Sequence, residues 1–451
     1  MTRWNRLRGL VDGRLRLPGD TGFRARSTPF NERYRDVTPA AVLSVTGPAD
    51  VGRAIAWSRD CGVPVVARGG GHGYAGGSVN SGLVLDLSGI DGVHVDPSTA
   101  LVTVGGGTRM RKLYSALRAH EMTLPLGNSH DVGIGGLVLG GGVSVVSRAA
   151  GLTCDALVST DVVLADGRTL TCSETENSDL FWACRGGGGG NFGVNTSFTF
   201  QARPVPATST CLVLWERPHA IEVLAVMQEV MHRAPNEFSA RIGISRSRDG
   251  DDVVSVIGQH LGPAHELREM LAPALSVAPA TRADIEDRTY WEAADYLHHT
   301  TAGGAFAVRT RCTPGPLPEE GLRTIVSALD KWPGSANPDG AGVALFTWGG
   351  VINDVPVEET AFPHREALFL ISMDTSWRPD ESPSVERDNL EWLDALYRNM
   401  GEFATDASYL NFSDPDLDDW RTAYHGPNAQ RLAQVKRRYD PDRIFSFAQA
   451  I

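Results

Sequence analysis

The stretch "RGGGHGYAGG" (residues 68–77) sets one histidine and one tyrosine among six glycines. It follows the apolar run "GVPVVA", which reads as a strand closed by turn residues. Glycine permits positive φ and lets backbone lie close against a ligand, yet it packs almost nothing. A histidine held in such a loop is therefore placed to reach whatever the backbone approaches. Three more stretches share this character: "PLGNSHDVGIGGLVLGGGVS" (125–144), "GLTCDAL" (151–157) and "RGGGGGNFGV" (185–194). Glycine at this density exposes backbone N–H groups in concave nests that bind phosphate.

The usual phosphate-binding motifs do not account for these loops. "GHGYAG" (71–76) matches G-x-G-x-x-G after a strand, but "AGGSVNSGLVLDLS" runs to a second turn and strand where the dinucleotide fingerprint needs a helix. No GK[ST] follows any of the loops, which excludes the Walker pattern. Around them, "SGLVLDLSGI", "ALVTVGGGT" and "LVSTDVVLADGRTLTC" read as strands, the last with the Asp-Gly of a tight hairpin. "ADVGRAIAWSRDCG" and "TRMRKLYSALRAHE" read as helices, with Thr108 as N-cap of the second. "QARPVPATST" (201–210) reads as a linker into a second mixed region with the strands "CLVLWERP" and "EALFLISMDTSW". The fold class is α+β.

With 451 residues the chain is long enough for two or three domains, and a net charge of −12 excludes nucleic acid as its main partner. The N-terminus lacks a secretory apolar run of roughly 7–15 residues, and no run approaches the ~20 residues of a membrane span. Six cysteines without a CxxC pair imply reduced thiols in a cytoplasmic protein.

In their order and combination the four glycine stretches resemble the FAD-linked oxidases of the berberine-bridge-enzyme type, within the vanillyl-alcohol-oxidase superfamily. "AFPHR" (361–365), "YLNF" (409–412) and "YHGPNAQRLAQVKRRYDPDRIFSFAQAI" (424–451) resemble further signatures of that family. The resemblance implies a PCMH-type FAD-binding domain of two subdomains (1–205), and a substrate domain with an antiparallel sheet covered by helices (206–415). A C-terminal segment (416–451) then returns to the first domain. It implies that FAD is held by Arg68, Gly69, Gly70, Gly71, His72, Gly73 and Tyr74 of the first loop. The second loop contributes Gly127, Ser129, His130, Val132, Gly133 and Gly136, with Gly140, Gly141 and Gly142. Asn191, Gly193, Val194 and Asn411 complete the set, and no metal is expected. His72 stands where the family bonds the flavin 8α-methyl. Many members add a cysteine bond to the flavin, but this chain has Ser129 at that position. A serine alkoxide is inaccessible near neutral pH, so one covalent link is expected and no 6-S-cysteinyl link.

Tyr409 of Tyr-x-Asn is the expected base. Asn353 and Asp354 in "WGGVINDV" sit where some relatives carry an acidic base, and strand alternation would turn only one of them inward. Asp374 is a weaker acidic candidate, and His364 and Arg365 are structural. Phe412, Ser372 and Met373 depart from common substrate-side residues. The expected activity is hydride removal from an alcohol or similar carbon of a small molecule, with O₂ as reoxidant, in natural-product tailoring such as antibiotic biosynthesis. Two alternatives remain: a flavin oxygenase of the enterocin type acting on a polyketide, and a non-redox cyclase retaining FAD structurally.

Overall fold

The short apolar runs become strands that segregate into separate sheets, as the computed structural model of residues 3–248, 252–299 and 301–451 describes. Ala41–Ser44, Leu83–Asp86 and Val65–Arg68 form a parallel core, with Arg14–Arg16 added antiparallel at one edge. The helix Pro48–Cys61 connects two of these strands, and Gly62 at φ 60 closes it, as the sequence predicts. A second, antiparallel sheet has the order Val93–Asp96, Leu101–Gly105, Val194–Gln201, Leu157–Val163, Thr169–Ser173. The fold is α+β, and these two sheets carry the four glycine loops.

Thr108 is not the N-cap of the next helix. Met110–Arg118 starts after Arg109, and the Thr108 hydroxyl lies near the Gly92 carbonyl. The stretch 201–210 is more ordered than a linker. Arg203–Pro204 pairs with Met122–Thr123, and the strand Thr208–Glu216 begins shortly after it.

That strand belongs to a seven-stranded antiparallel sheet of order Arg282–Arg288, Thr208–Glu216, Asp252–His260, Phe238–Arg246, Ala341–Thr347, Phe369–Trp377, Ala305–Thr313. Strand alternation gives the sheet two unlike faces. Val213, Trp215, Ile242, Ile244, Val343 and Met373 pack on one face against the helices Ala220–Arg233, Ala264–Val277, Glu319–Asp330 and Pro383–Asn399. Each fully buried Val or Ile there contributes roughly 1.5–3 kcal/mol relative to exposure. The other face carries Ser239, Arg241, Phe346, Ser372 and Asp374 and looks into a cleft.

The helix Ala429–Tyr439 lies against Ser178–Cys184, where Tyr439 and Arg438 both bond Asp179. Its Lys436 ammonium is buried and donates to the carbonyls of Asn191 and Phe445 and to Asp440. All six cysteines are free. Among the described residues no helix is long and apolar enough to cross a membrane.

Candidate active site

The cleft between the glycine loops and the polar sheet face has a volume of about 1470 Å³. Its first wall is the loop at the C-terminal end of the parallel strand Val65–Arg68, where open α/β sheets place their ligands. Gly70 and Gly133 meet backbone to backbone. A Cβ on Gly70 would collide with the Gly133 nitrogen, and one on Gly133 with the Gly70 nitrogen. Only glycine at both positions allows the first and second loops to touch. Arg109 fastens the junction by donating to the Asp131 and Gly70 carbonyls at 2.6 and 3.1 Å. Arg68 is buried beneath the loop and donates to the Thr28 carbonyl at 2.7 Å. Gly71, at φ 72, passes directly over its guanidinium.

The amides of Gly71, His72 and Gly73 have no protein acceptor among the described residues. A nest of free N–H groups between two arginines is an anion cradle. It fits the pyrophosphate of a flavin dinucleotide, and the adjoining cleft has room for the rest of the cofactor.

His72 projects beside this cradle, stacked on Phe30 with ring centroids 3.5 Å apart. Burial lowers its pKa to about 4, so the imidazole is neutral at pH 7 and keeps a nucleophilic lone pair. Tyr74 stacks on Phe412 at 5.2 Å, and Phe306 meets its edge at 5.0 Å. Gly69, Gly127, Ser129, Val132, Gly136, Asn191, Gly193 and Val194 line the cleft.

His130 does not line it. Its ring stacks at 3.7 Å on that of His298, which does line the cleft. Gly140, Gly141 and Gly142 also stand behind the lining. A Cβ on Gly140 would collide with the Asn411 amide, one on Gly141 with Phe362 and one on Gly142 with Thr153, so these glycines admit supporting side chains rather than cofactor.

Tyr409 borders the cleft, but its hydroxyl is committed elsewhere. The oxygen accepts N–H from Gly142 and Val143, each at 3.0 Å, and from Asn411 Nδ2 at 3.1 Å. Those donors occupy its lone pairs, and burial still raises the phenol to about 12. Asn411 also donates to the Leu137 carbonyl at 2.9 Å, which holds the segment after the second loop in place.

Asn353 and Asp354 are exposed and lie outside the cleft lining. Gly349 and Gly350, at φ 84 and 57, end the strand Ala341–Thr347 and turn the chain into the short helix Val351–Asp354. The alternation expected of a strand does not apply there, and Asn353 instead donates to the Ala367 carbonyl. His364 and Arg365 are structural as expected. His364 contacts the Ser408 carbonyl, and Arg365 forks onto Asp155 at 2.7 and 2.9 Å.

Asp374, on the strand Phe369–Trp377, lines the cleft, as do Asp131 and Asp339. Loss of water around Asp374 outweighs the attraction of Arg241 and pushes its pKa up to about 6. Tyr74, two residues from His72, lies within its electrostatic reach. The cleft therefore pairs a neutral histidine on the cradle side with a carboxylate of near-neutral pKa on the sheet side.

Residues 39–173 match a family model described as an FAD binding domain, and residues 408–451 one described as berberine and berberine like. The chain is 32% identical to the FAD-linked oxidoreductase YgaK of Bacillus subtilis, over 98% of this chain and 97% of that one. The chain belongs to the berberine-bridge-enzyme-like FAD-linked oxidases. Among solved structures of this family, BBE-like 1 of Physcomitrella patens superposes with a TM-score of 0.90 at 26% identity, covering 100% of this chain and 99% of the other. The glucooligosaccharide oxidase of Acremonium strictum, described with a 6-S-cysteinyl, 8α-N1-histidyl FAD, superposes at 0.89 with 26% identity over 100% and 99%.

As in any oxidase of this kind, residues on the substrate side choose what reacts. Arg241 and Ser239, which do not stand out in the sequence, line the cleft together with Asp374. The available signal was alternation along "FSARIGISR" and "FLISMDTSW", where Ser239, Arg241 and Ser245, and Ser372, Asp374 and Ser376, fall on one parity of largely apolar strands.

Proposed function

We propose that this protein is an FAD-dependent oxidase of a ring-bearing alcohol or hemiacetal, with FAD bound covalently through His72 alone and Asp374 as proton acceptor. The observation that carries the reading is that Asp374 lines the same cleft as His72, within electrostatic reach of Tyr74 two residues on. FAD held in this cleft would supply the hydride acceptor and the route by which two electrons reach O₂. The protein's part is to position and to move a proton. Gly71–Gly73 and Arg68 would hold the pyrophosphate, and neutral His72 would bond the ring's methyl position. Ser129 lines the cleft where a doubly tethered relative has its cysteine, and a hydroxyl does not make that bond. Asp374, ionised above a pH of about 6, takes the hydroxyl proton as hydride leaves the same carbon. Tyr409 is a positioning residue that fixes Gly142, Val143 and Asn411 behind the flavin site.

The aromatic wall of Tyr74, Phe306, Phe346 and Phe412 supports a ring-bearing substrate. The small side chains of Ser239, Ser372 and Ser376 on the cleft floor leave room for a bulky one, which suits natural-product tailoring. Anaerobic titration with alcohols tests the proposal: a substrate should bleach the oxidised flavin, and air should restore the colour with one peroxide per product. Product formation without bleaching, or oxygen atoms incorporated into product, would overturn it.

A further inference from the structure

The mechanism leaves one charged side chain on the substrate side unused. Arg241 lies on the strand Phe238–Arg246 with its side chain on the cleft face. Among the described residues its side chain makes no hydrogen bond or ion pair, and its guanidinium carbon lies 5.9 Å from the centre of the Phe346 ring. Elsewhere around the cleft the arginines are engaged: Arg68 on Thr28 and Ser78, Arg109 on Gly70 and Asp131. A second observation stands beside it. Ser239, two residues back on the same strand and therefore on the same face, is only 4% exposed, lines the cleft, and has a buried hydroxyl with no partner. A guanidinium and an orphaned hydroxyl side by side supply N–H and O–H donors and no anion.

The acids nearby do not satisfy this pair. Asp374 feels the charges of both Arg241 and Asp339, but among the described residues neither acid reaches Arg241 within ion-pair distance. Asp339 accepts the Ala302 N–H at 2.9 Å. His299 also faces this space, and burial lowers its pKa, leaving it neutral. Register sets the two residues at different heights on the sheet. Arg241 pairs with Phe346, whereas Asp374 pairs with Gly342 on the same intervening strand. That four-residue offset is about 13 Å along the strands at ~3.3 Å per residue. Phe346, beside Arg241 on this floor, meets the edge of Phe412, which stacks on Tyr74 of the first loop.

We infer that the substrate is a hydroxy acid, its carboxylate held by Arg241 and Ser239 and its reacting carbinol across a ring at Asp374. This rests on the oxidase reading for the carbinol end only. A carboxylate brought toward Asp374 raises its pKa further, so the acidic substrate should show its alkaline-rising limb at higher pH than its neutral analogue.

The probes are 4-(hydroxymethyl)benzoate and 4-(hydroxymethyl)benzamide, which differ only in the charged end. Perturbation of the flavin's visible spectrum by each, in the holoenzyme, reads binding without requiring turnover. The benzoate should bind roughly 10–100-fold more tightly than the amide, the span expected of a charge-assisted hydrogen-bonded contact. Arg241→Met should collapse that preference to within about threefold, Arg241→Lys should retain part of it, and Ser239→Ala should reduce it. Retained flavin absorbance shows that each variant still holds cofactor. Equal affinity for the two probes, binding of neither, or a preference that survives Arg241→Met would overturn the assignment. If the amide bleaches the flavin without any preference between probes, the oxidase reading stands and the Arg241 assignment falls. If the benzoate binds selectively through Arg241 but neither probe bleaches the flavin under nitrogen, the assignment stands and the oxidase reading is contradicted.

Discussion

Asp374→Asn removes the proposed proton acceptor while keeping the side chain's size and polarity. With the acid pushed up to about 6, roughly a tenth of the protein carries the carboxylate at pH 5 and roughly nine-tenths at pH 7. The ionised form is the reactive one, so flavin reduction by an alcohol should rise about tenfold between those pH values and level off above them. Asparagine has no basic lone pair of comparable strength. The variant should lose about 10²–10⁴-fold in reduction rate, and the pH limb should vanish with it. The assay is anaerobic stopped-flow at saturating substrate, following loss of the oxidised-flavin band from pH 5 to 8, with FAD content confirmed beforehand. A variant that reduces within about threefold of wild type, or that keeps the same pH limb, would refute the reasoning and move the base elsewhere.

Tyr409→Phe strips the acceptor from the Gly142 and Val143 amides and should cost about 1–3 kcal/mol of stability, read by thermal unfolding, while the pH limb of flavin reduction persists. Ser129→Cys places a thiol on the cleft lining, and in the His72→Ala background peptide mass spectrometry should find flavin on the peptide that carries this substitution; flavin-free peptides throughout would mean that the loop runs differently from doubly tethered relatives. His364 and His425 are buried, with pKa values lowered to about 4 and about 3. Both are neutral in either state at pH 7, but as pH falls below about 6.5 the unfolded chain takes up protons that the fold refuses. Stability should therefore drop toward pH 4 by up to about 1.4 kcal/mol per pH unit for each, and His364→Gln should flatten the fall in melting temperature.

The glycine loops were legible because their chemistry is local. A glycine that must meet another glycine's backbone, as Gly70 meets Gly133, admits no side chain, so the requirement is written directly in composition. The strands Val65–Arg68 and Phe369–Trp377 and the helix Pro48–Cys61 were legible for a similar reason: their turn signals stand next to them in sequence. The substrate side was read less well because its meaning depends on partners far along the chain. Tyr409 reads as a base until Gly142 and Val143, more than 260 residues away, are seen to occupy its oxygen. Asn353 and Asp354 were misplaced because the adjacent Gly349-Gly350 turn was read through as strand. His130 and Ser129 are neighbours in one loop, yet Ser129 lines the cleft while His130 stands behind His298, a partner nearly 170 residues away. Arg241 carried no signal beyond its place in an alternating strand, since an arginine draws attention only once its lack of an ionic partner is known.

The central claim is a flavin fixed to the protein by His72 alone, and the most direct test is mass spectrometry of the proteolysed, denatured enzyme. FAD mass is expected on the peptide containing His72 and on no other, with yellow fluorescence retained on a denaturing gel and lost in His72→Ala. Complete release of FAD from wild-type protein on acid precipitation, or flavin on a peptide that lacks His72, would contradict it.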